Sequence, residues 1–279
     1  RAQVRLGAQP PHEFLELGHL LDEMRLFKSR DELRLMKRAA RISVEAHAAA
    51  MRAVRPGLHE YDLQAELEYV FRRNEAQSAY ESIVGTGANA CVLHYRANSA
   101  RIGTDDLVLI DAGAEYRGYA ADITRTFPAS GRFTPAQRAL HDVVLEAHAQ
   151  ACAQARPGVA YAAIHDAAVE VLVDGMLRLG LLKGRASKLI ADGSYKRFYP
   201  HKTGHWLGLD VHDVGDYRID GESRLLEPGM VLTVEPGLYI PPDATGVAAK
   251  WRGLGVRIED DLAITRDGHE VLTAGLARS

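Results

Sequence analysis

The chain has 279 residues, enough for one large domain or two small ones. It is 47% hydrophobic and 25% charged, as ordinary globular proteins are, and its 34 basic against 37 acidic residues leave a net charge of −3, a balance that argues against nucleic acid as a main partner. No apolar run reaches the roughly 18 residues a membrane helix needs, and the two cysteines, Cys91 and Cys152, define neither a disulfide framework nor a zinc cluster, which favours a reduced, cytoplasmic setting.

Residues 1–28 show no clear period and contain Pro10 and Pro11, so they read as a connector ahead of a single domain over 29–279. The chain starts at Arg1 rather than methionine, which suggests that something N-terminal has been removed. Ser29-Arg30-Asp31-Glu32 is a capping-box pattern and predicts a helix running to about Ala53, ahead of Arg55-Pro56-Gly57. A second helix fits Asp62–Arg73, with Leu63, Leu67, Val70 and Phe71 on one face. Thr134-Pro135-Ala136-Gln137 opens a third helix, to about Ala155, and a fourth runs from about Tyr161 to Leu179. Strands are predicted at Leu107–Ala112, Ala120–Phe127, Val231–Glu235 and Val256–Thr265, rich in Val, Ile and Thr and bounded by turn residues.

The chain reads as duplicated. Arg55-Pro56-Gly57-Leu58 recurs as Arg156-Pro157-Gly158-Val159, and Leu109-Ile110-Asp111-Ala112-Gly113 recurs as Thr233-Val234-Glu235-Pro236-Gly237. Each half then runs helix, turn, helix, strands, with an acid at a strand end. Between Asp111 and Asp122, Glu115-Tyr116-Arg117-Gly118 reads as a hairpin loop, in a register that sets the two aspartates directly opposite each other, about 4.5–5.5 Å apart at Cβ. Opposed like charges destabilise a sheet, so either the pair is solvated at the strand ends or a cation lies between the two. Glu235 and Glu259 repeat the arrangement in the second half. Four carboxylates, formally −4, would match two divalent cations.

Residues 200–217, PHKTGHWLGLDVHDVGDY, place His201 and His205 four apart, as zinc ligands on a helix would be. Pro200, Gly204, Gly208 and Gly215 argue against that helix, and Lys202 stands where the zinc-peptidase glutamate would be. Gly208–Val214 alternates loosely, as a strand would. One imidazole would complete the carboxylate set, and His205 is the candidate. Oxygen ligands with a single imidazole suit Mn²⁺, Co²⁺, Fe²⁺ or Mg²⁺ better than structural zinc.

Asp111-Ala112-Gly113, the stretch from Gly118 to Phe127, Gly204-His205-Trp206-Leu207-Gly208, Val211-His212-Asp213, Glu235-Pro236-Gly237 and Arg257-Ile258-Glu259-Asp260 together resemble the catalytic domain of the aminopeptidase P family, the pita-bread metallopeptidases. The resemblance covers about residues 30 to 279. It implies an α/β (α+β) pita-bread fold: two related halves, a curved antiparallel sheet covered by helices, and a central dimetal cleft. It implies two divalent ions per chain, Mn²⁺ first, with Co²⁺, Fe²⁺ or Zn²⁺ as alternatives. Asp111, Asp122, His205, Glu235 and Glu259 become the metal ligands, with Asp122 and Glu259 bridging. Glu235, His94 and His212 become catalytic, and His94, His201, His212, Tyr239 and Arg257 contact substrate.

The implied activity is removal of the N-terminal residue from peptides with proline second. The implied partner is such a peptide, with no nucleic acid and no membrane, and a homo-oligomer is allowed. His201-Lys202-Thr203-Gly204-His205 departs from the His-Gly-Leu-Gly-His of prolidase-type relatives, which weakens the alternative reading as a prolidase cleaving Xaa-Pro dipeptides. A non-catalytic binding module is the other alternative, although all five ligand positions hold usable ligands. The family normally carries a further N-terminal domain, and residues 1–28 would be its connector or remnant. The other eight histidines, and Cys91, Phe198 and Tyr199, read as surface or packing residues.

Overall fold

The computed structural model describes residues 16–278. The first half comprises α1 (Leu17–Leu26), α2 (Arg30–Ala53), α3 (Glu60–Arg73), β1 (Gln77–Ser78), β2 (Ile83–Thr86), β3 (Leu107–Asp111), β4 (Ala114–Tyr116), β5 (Tyr119–Ala120) and β6 (Thr124–Pro128). The second comprises α4 (Pro135–Gln154), α5 (Ala162–Arg178), α6 (Ala186–Ala191), β7 (Arg218–Ile219), β8 (Glu222–Ser223), β9 (Val231–Val234), β10 (Gly237–Ile240), β11 (Leu254–Arg257), β12 (Asp260–Ile264) and β13 (His269–Val271).

Both long helices start where their caps predict. The Ser29 hydroxyl accepts from Glu32 N at 3.3 Å while Ser29 N donates to the Glu32 carboxylate at 2.7 Å, and Thr134 with Gln137 repeats the exchange. Such a cap contributes about 1 kcal/mol. α3 starts two residues before Asp62, because Asp62 is the third residue of its first turn and accepts from His59 N at 2.8 Å. Of the connector expected over 1–28, residues 1–15 lie outside the described residues, and Leu17–Leu26 forms helix α1. Its leucines show little period because most face solvent, and only Leu26 is buried.

The halves are built alike. α2 and α3 bury Ile42, Ala46, Leu63, Leu67, Val70 and Phe71 against the sheet β2-β3-β6, through Val84, Val108 and Ile110. α4 and α5 cover β9 to β12 in the same way, with Ala151, Ile164 and Ala168 against Leu232, Val234 and Leu262. Two antiparallel arms in each half run through a mid-length break, β3-β4 against β5-β6 and β9-β10 against β11-β12. The predicted strands Ala120–Phe127 and Val256–Thr265 are therefore each interrupted, at 121–123 and at 258–259. At the first break, Ala112 N still donates to Ile123 O and Ala121 N to Ala114 O, but a side chain on Gly113 would lie 1.6 Å from Ala121 O. The halves meet where Glu259 N donates to Thr124 O at 3.1 Å and Arg125 reaches Glu259 O and the Asp260 carboxylate.

The hairpin register differs from the expected one. The turn is the two-residue Arg117-Gly118, both with positive φ (50° and 84°), so Tyr116 pairs with Tyr119 and Asp111 with Thr124. This is the primed turn whose twist suits adjoining strands. Asp111 and Asp122 are thus not directly opposed. The shift is by two positions, and side chains alternate with period two, so both aspartates still address one face as diagonal neighbours.

His47 of α2 supports the first break: its Nε2 donates to Ala112 O at 2.8 Å, while its Nδ1 is buried with no partner. Burial pushes the His47 pKa down from 6.5 to about 4. The folded state therefore refuses a proton that the unfolded chain accepts. This contribution is complete above about pH 6.5 and is lost as the pH falls toward 4, to a total on the order of 3 kcal/mol. Urea unfolding of the parent and of His47→Gln across that window should show a flatter pH dependence in the variant; equal slopes would contradict this.

Candidate metal centre

A cleft of about 840 Å³ opens where the halves meet, and Asp111, Asp122, His205, Glu235 and Glu259 all line it. Each acid sits at a strand break. Asp111 ends β3, Asp122 lies between β5 and β6, Glu235 follows β9, and Glu259 lies between β11 and β12. A break frees the backbone from the sheet plane and turns consecutive side chains into the cleft.

His205 arrives from an extended segment, not a helix. Glu235 N donates to Thr203 O, Thr233 N to His205 O and Leu207 N to Val231 O, so residues 203–207 run as a short added strand along β9. The strand-like alternation read at Gly208–Val214 is loop. His205 Nδ1 lies 2.9 Å from Trp206 O and can only donate there. In the neutral ring its Nε2 then presents a lone pair, 3.5 Å from Asp122 Oδ2 and 3.6 Å from Glu235 Oε1. Ligand atoms of Asp122, His205 and Glu259 lie within 4.8 Å of one another. A lone pair facing ionised carboxylates is stable only with a cation or a proton between them.

The electrostatics carry the same demand. Burial, reinforced by Asp122, Glu235 and Asp111, pushes Glu259 far above the carboxylate range. Burial lifts Glu235 to about 7 although His205 and Arg257 oppose it, and burial with Asp111 raises Asp122. Burial works against a charged His205, yet Asp122 and Glu235 raise it to about 9. These acids hold protons where no other positive charge is supplied. Hard oxygens with one imidazole are the donor set of a divalent cation such as Mn²⁺, so the residues fit the metals implied by the sequence.

The remaining predicted residues surround this cluster. His94 and His212 are exposed into the cleft, and the His212 ring stands 4.3 Å from that of His205. His94 is carried by a loop pinned by the buried Glu60, which accepts from Thr86 N, Ala100 N and the Tyr95 hydroxyl. His201 also lines the cleft, 3.8 Å from Glu235 Oε2, and burial followed by Arg257 lowers its pKa to about 4. Arg257 donates to Asp111 Oδ2 at 2.5 Å. Tyr239 is buried behind the wall; its hydroxyl bonds His201 Nε2 at 2.8 Å and accepts from Arg257 at 3.0 Å, so it supports those two residues.

Sequence reasoning missed two groups. The Tyr80 hydroxyl stands between the aspartates, donating to Asp111 Oδ1 at 2.6 Å and meeting Asp122 Oδ1. No sequence signal marks it, since it lies 31 residues before Asp111. The Thr124 hydroxyl accepts from Arg257 Nε and donates to Glu259 Oε2 at 2.5 Å. That one was within reach, because Thr124 is two positions from Asp122 and shares its face.

Comparison with known proteins agrees with this geometry. Metallopeptidase family M24 matches residues 34–266. The Xaa-Pro aminopeptidase of Escherichia coli is 49% identical over 279 residues, covering 100% of this chain and 63% of the relative. The solved aminopeptidase PepP of Pseudomonas aeruginosa is similar at a TM-score of 0.98 and 57% identity, covering 100% of this chain and 63% of that one. A structure of Escherichia coli aminopeptidase P with the inhibitor Pro-Leu follows at a TM-score of 0.95 and 48% identity, with 99% and 63% covered. The chain thus spans somewhat under two thirds of the length of these relatives. Two alike halves, a carboxylate-rich cleft between them and these matches make the chain a member of metallopeptidase family M24, with its pita-bread fold.

Proposed function

We propose that this domain is a metal-dependent aminopeptidase that removes the N-terminal residue from peptides with proline second, using two divalent ions, Mn²⁺ first. The observation that carries the reading is the gathering of four carboxylates, two buried and two half-buried, around a single imidazole in one cleft. The relatives' names support it, as does the inhibitor Pro-Leu in one solved relative. Cys91 and Cys152 are both unpaired, and among the described residues no helix is long and apolar enough to cross a membrane. We infer a cytoplasmic setting from the thiols.

Asp111, Asp122, His205, Glu235 and Glu259 would hold the ions. Bound there, the metals would lower the pKa of a water and polarise the carbonyl before proline. Every other role falls to the chain. Glu235 accepts the water's proton and returns it toward the prolyl nitrogen, which carries no hydrogen before cleavage. His212 is lowered in pKa by burial and then by His205 and His94, so at neutral pH it is an uncharged N–H donor aimed at the developing oxyanion. His94, which also lines the cleft, would assist at the leaving-group side. His201 and Arg257, held by Tyr239, form the wall for the proline ring.

Glu235→Gln keeps the side-chain volume and removes the proton acceptor. Its kcat should fall by roughly 10²–10⁴-fold, the usual worth of general acid–base catalysis, with metal content measured alongside; a rate within threefold of the parent would remove the proposed role. Peptide length separates the two peptidase readings. Mn²⁺-loaded protein given Xaa-Pro-Xaa tripeptides and Xaa-Pro dipeptides should release the first residue from the tripeptides, whereas turnover confined to dipeptides would favour the prolidase reading.

A further inference from the structure

The loop carrying His212 is tied to a part of the chain that does not itself line the cleft. Asp213, next to His212, has a side chain only 1% exposed, and two cations meet it, Arg25 in the last turn of α1 and Lys28 two residues beyond that helix. Lys28, equally buried, places Nζ 3.2 Å from Asp213 Oδ2. Arg25 contacts Asp213 Oδ1 and donates to Asp210 Oδ2 at 2.7 Å, so it grips both acids flanking His212. The fit is tight: a side chain on Gly208 would lie 2.1 Å from Asp213 Oδ2 and 2.9 Å from Lys28 Cε.

The clamp also reaches the candidate ligand. Asp213 N donates to Trp206 O at 2.9 Å, and His205 Nδ1 donates to that same carbonyl, also at 2.9 Å. One oxygen therefore fixes both the loop and the His205 ring. Removing one partner of a buried ion pair leaves the other charge uncompensated, so the acid would seek solvent and take the loop with it.

We propose that Lys28 and Arg25 are positioning residues: by clamping Asp213 they set His212 over the cleft and hold the His205 ring through the Trp206 carbonyl. The catalytic consequence rests on the peptidase reading above; the geometric one does not. The side chains act through Asp213 and touch neither substrate nor metal. Because contacts of this kind around metal ligands are worth about 10–100-fold in affinity or activity, Lys28→Met should lower kcat about tenfold or more with KM changed less than twofold. Arg25→Gln, at a half-buried position, should lower it less, and Arg25→Lys should recover most of that loss.

The direct readout is the imidazole ¹H–¹⁵N spectrum of chelator-treated protein. In Lys28→Met and Arg25→Gln the His205 and His212 signals should move, while those of His269, on β13, stay in place. If Lys28→Met does not fold, the two Arg25 variants carry the test. Unmoved His205 and His212 signals, or an unchanged kcat in Arg25→Gln, would overturn the clamp. An inactive parent whose variants still show the shifts would sink the peptidase reading and leave the clamp standing.

Discussion

Mutual repulsion among four carboxylates, Asp122 and Glu259 buried and Asp111 and Glu235 half-buried, is the constraint on which the rest of the domain depends. At an effective dielectric constant of about 20, two unit charges about 4 Å apart repel by about 4 kcal/mol. A domain is stable by only about 5–15 kcal/mol, so Asp111, Asp122, Glu235 and Glu259 cannot all stay ionised and unanswered. Arg257 answers one charge, at Asp111, and the Tyr80 hydroxyl bridges the two aspartates. What is left, with His205 facing it, calls for added positive charge, which the proposed metals would supply. The two breaks deliver these acids to one place, and the contact of β6 with the β11–β12 arm brings the breaks together.

Much of this was legible in the sequence, because the signals are local. Capping boxes at Ser29 and Thr134, and the recurring Arg-Pro-Gly turns, reveal two helix pairs and hence two alike halves. Acids ending apolar runs reveal the hairpins. The register was not legible, since Glu115-Tyr116-Arg117-Gly118 suits a four-residue loop as well as the two-residue turn that forms. The error was harmless for the site only because a shift of two keeps each side chain on its face. The contacts of Tyr80, and those of Arg25 and Lys28 with Asp213, join residues far apart in sequence, and no spacing encodes them.

The histidine-rich stretch shows how tertiary pairing overrides spacing. His201 and His205 would share a face on a helix. Here residues 203–207 are drawn out along β9, which sends His205 to the carboxylates and leaves His201 against Tyr239 and Arg257. Similar imidazoles thus meet opposite fields: His205 is raised toward charge by acids, and His201 is held neutral by burial and a guanidinium. The roles proposed for the two, ligand and wall, follow from that difference.

Metal stoichiometry tests the central claim most directly. Chelator-treated protein titrated with Mn²⁺ in a calorimeter should bind two equivalents per chain. A double variant, Asp122→Asn with Glu259→Gln, should bind neither. No binding by the parent, or two equivalents retained by the double variant, would contradict the account.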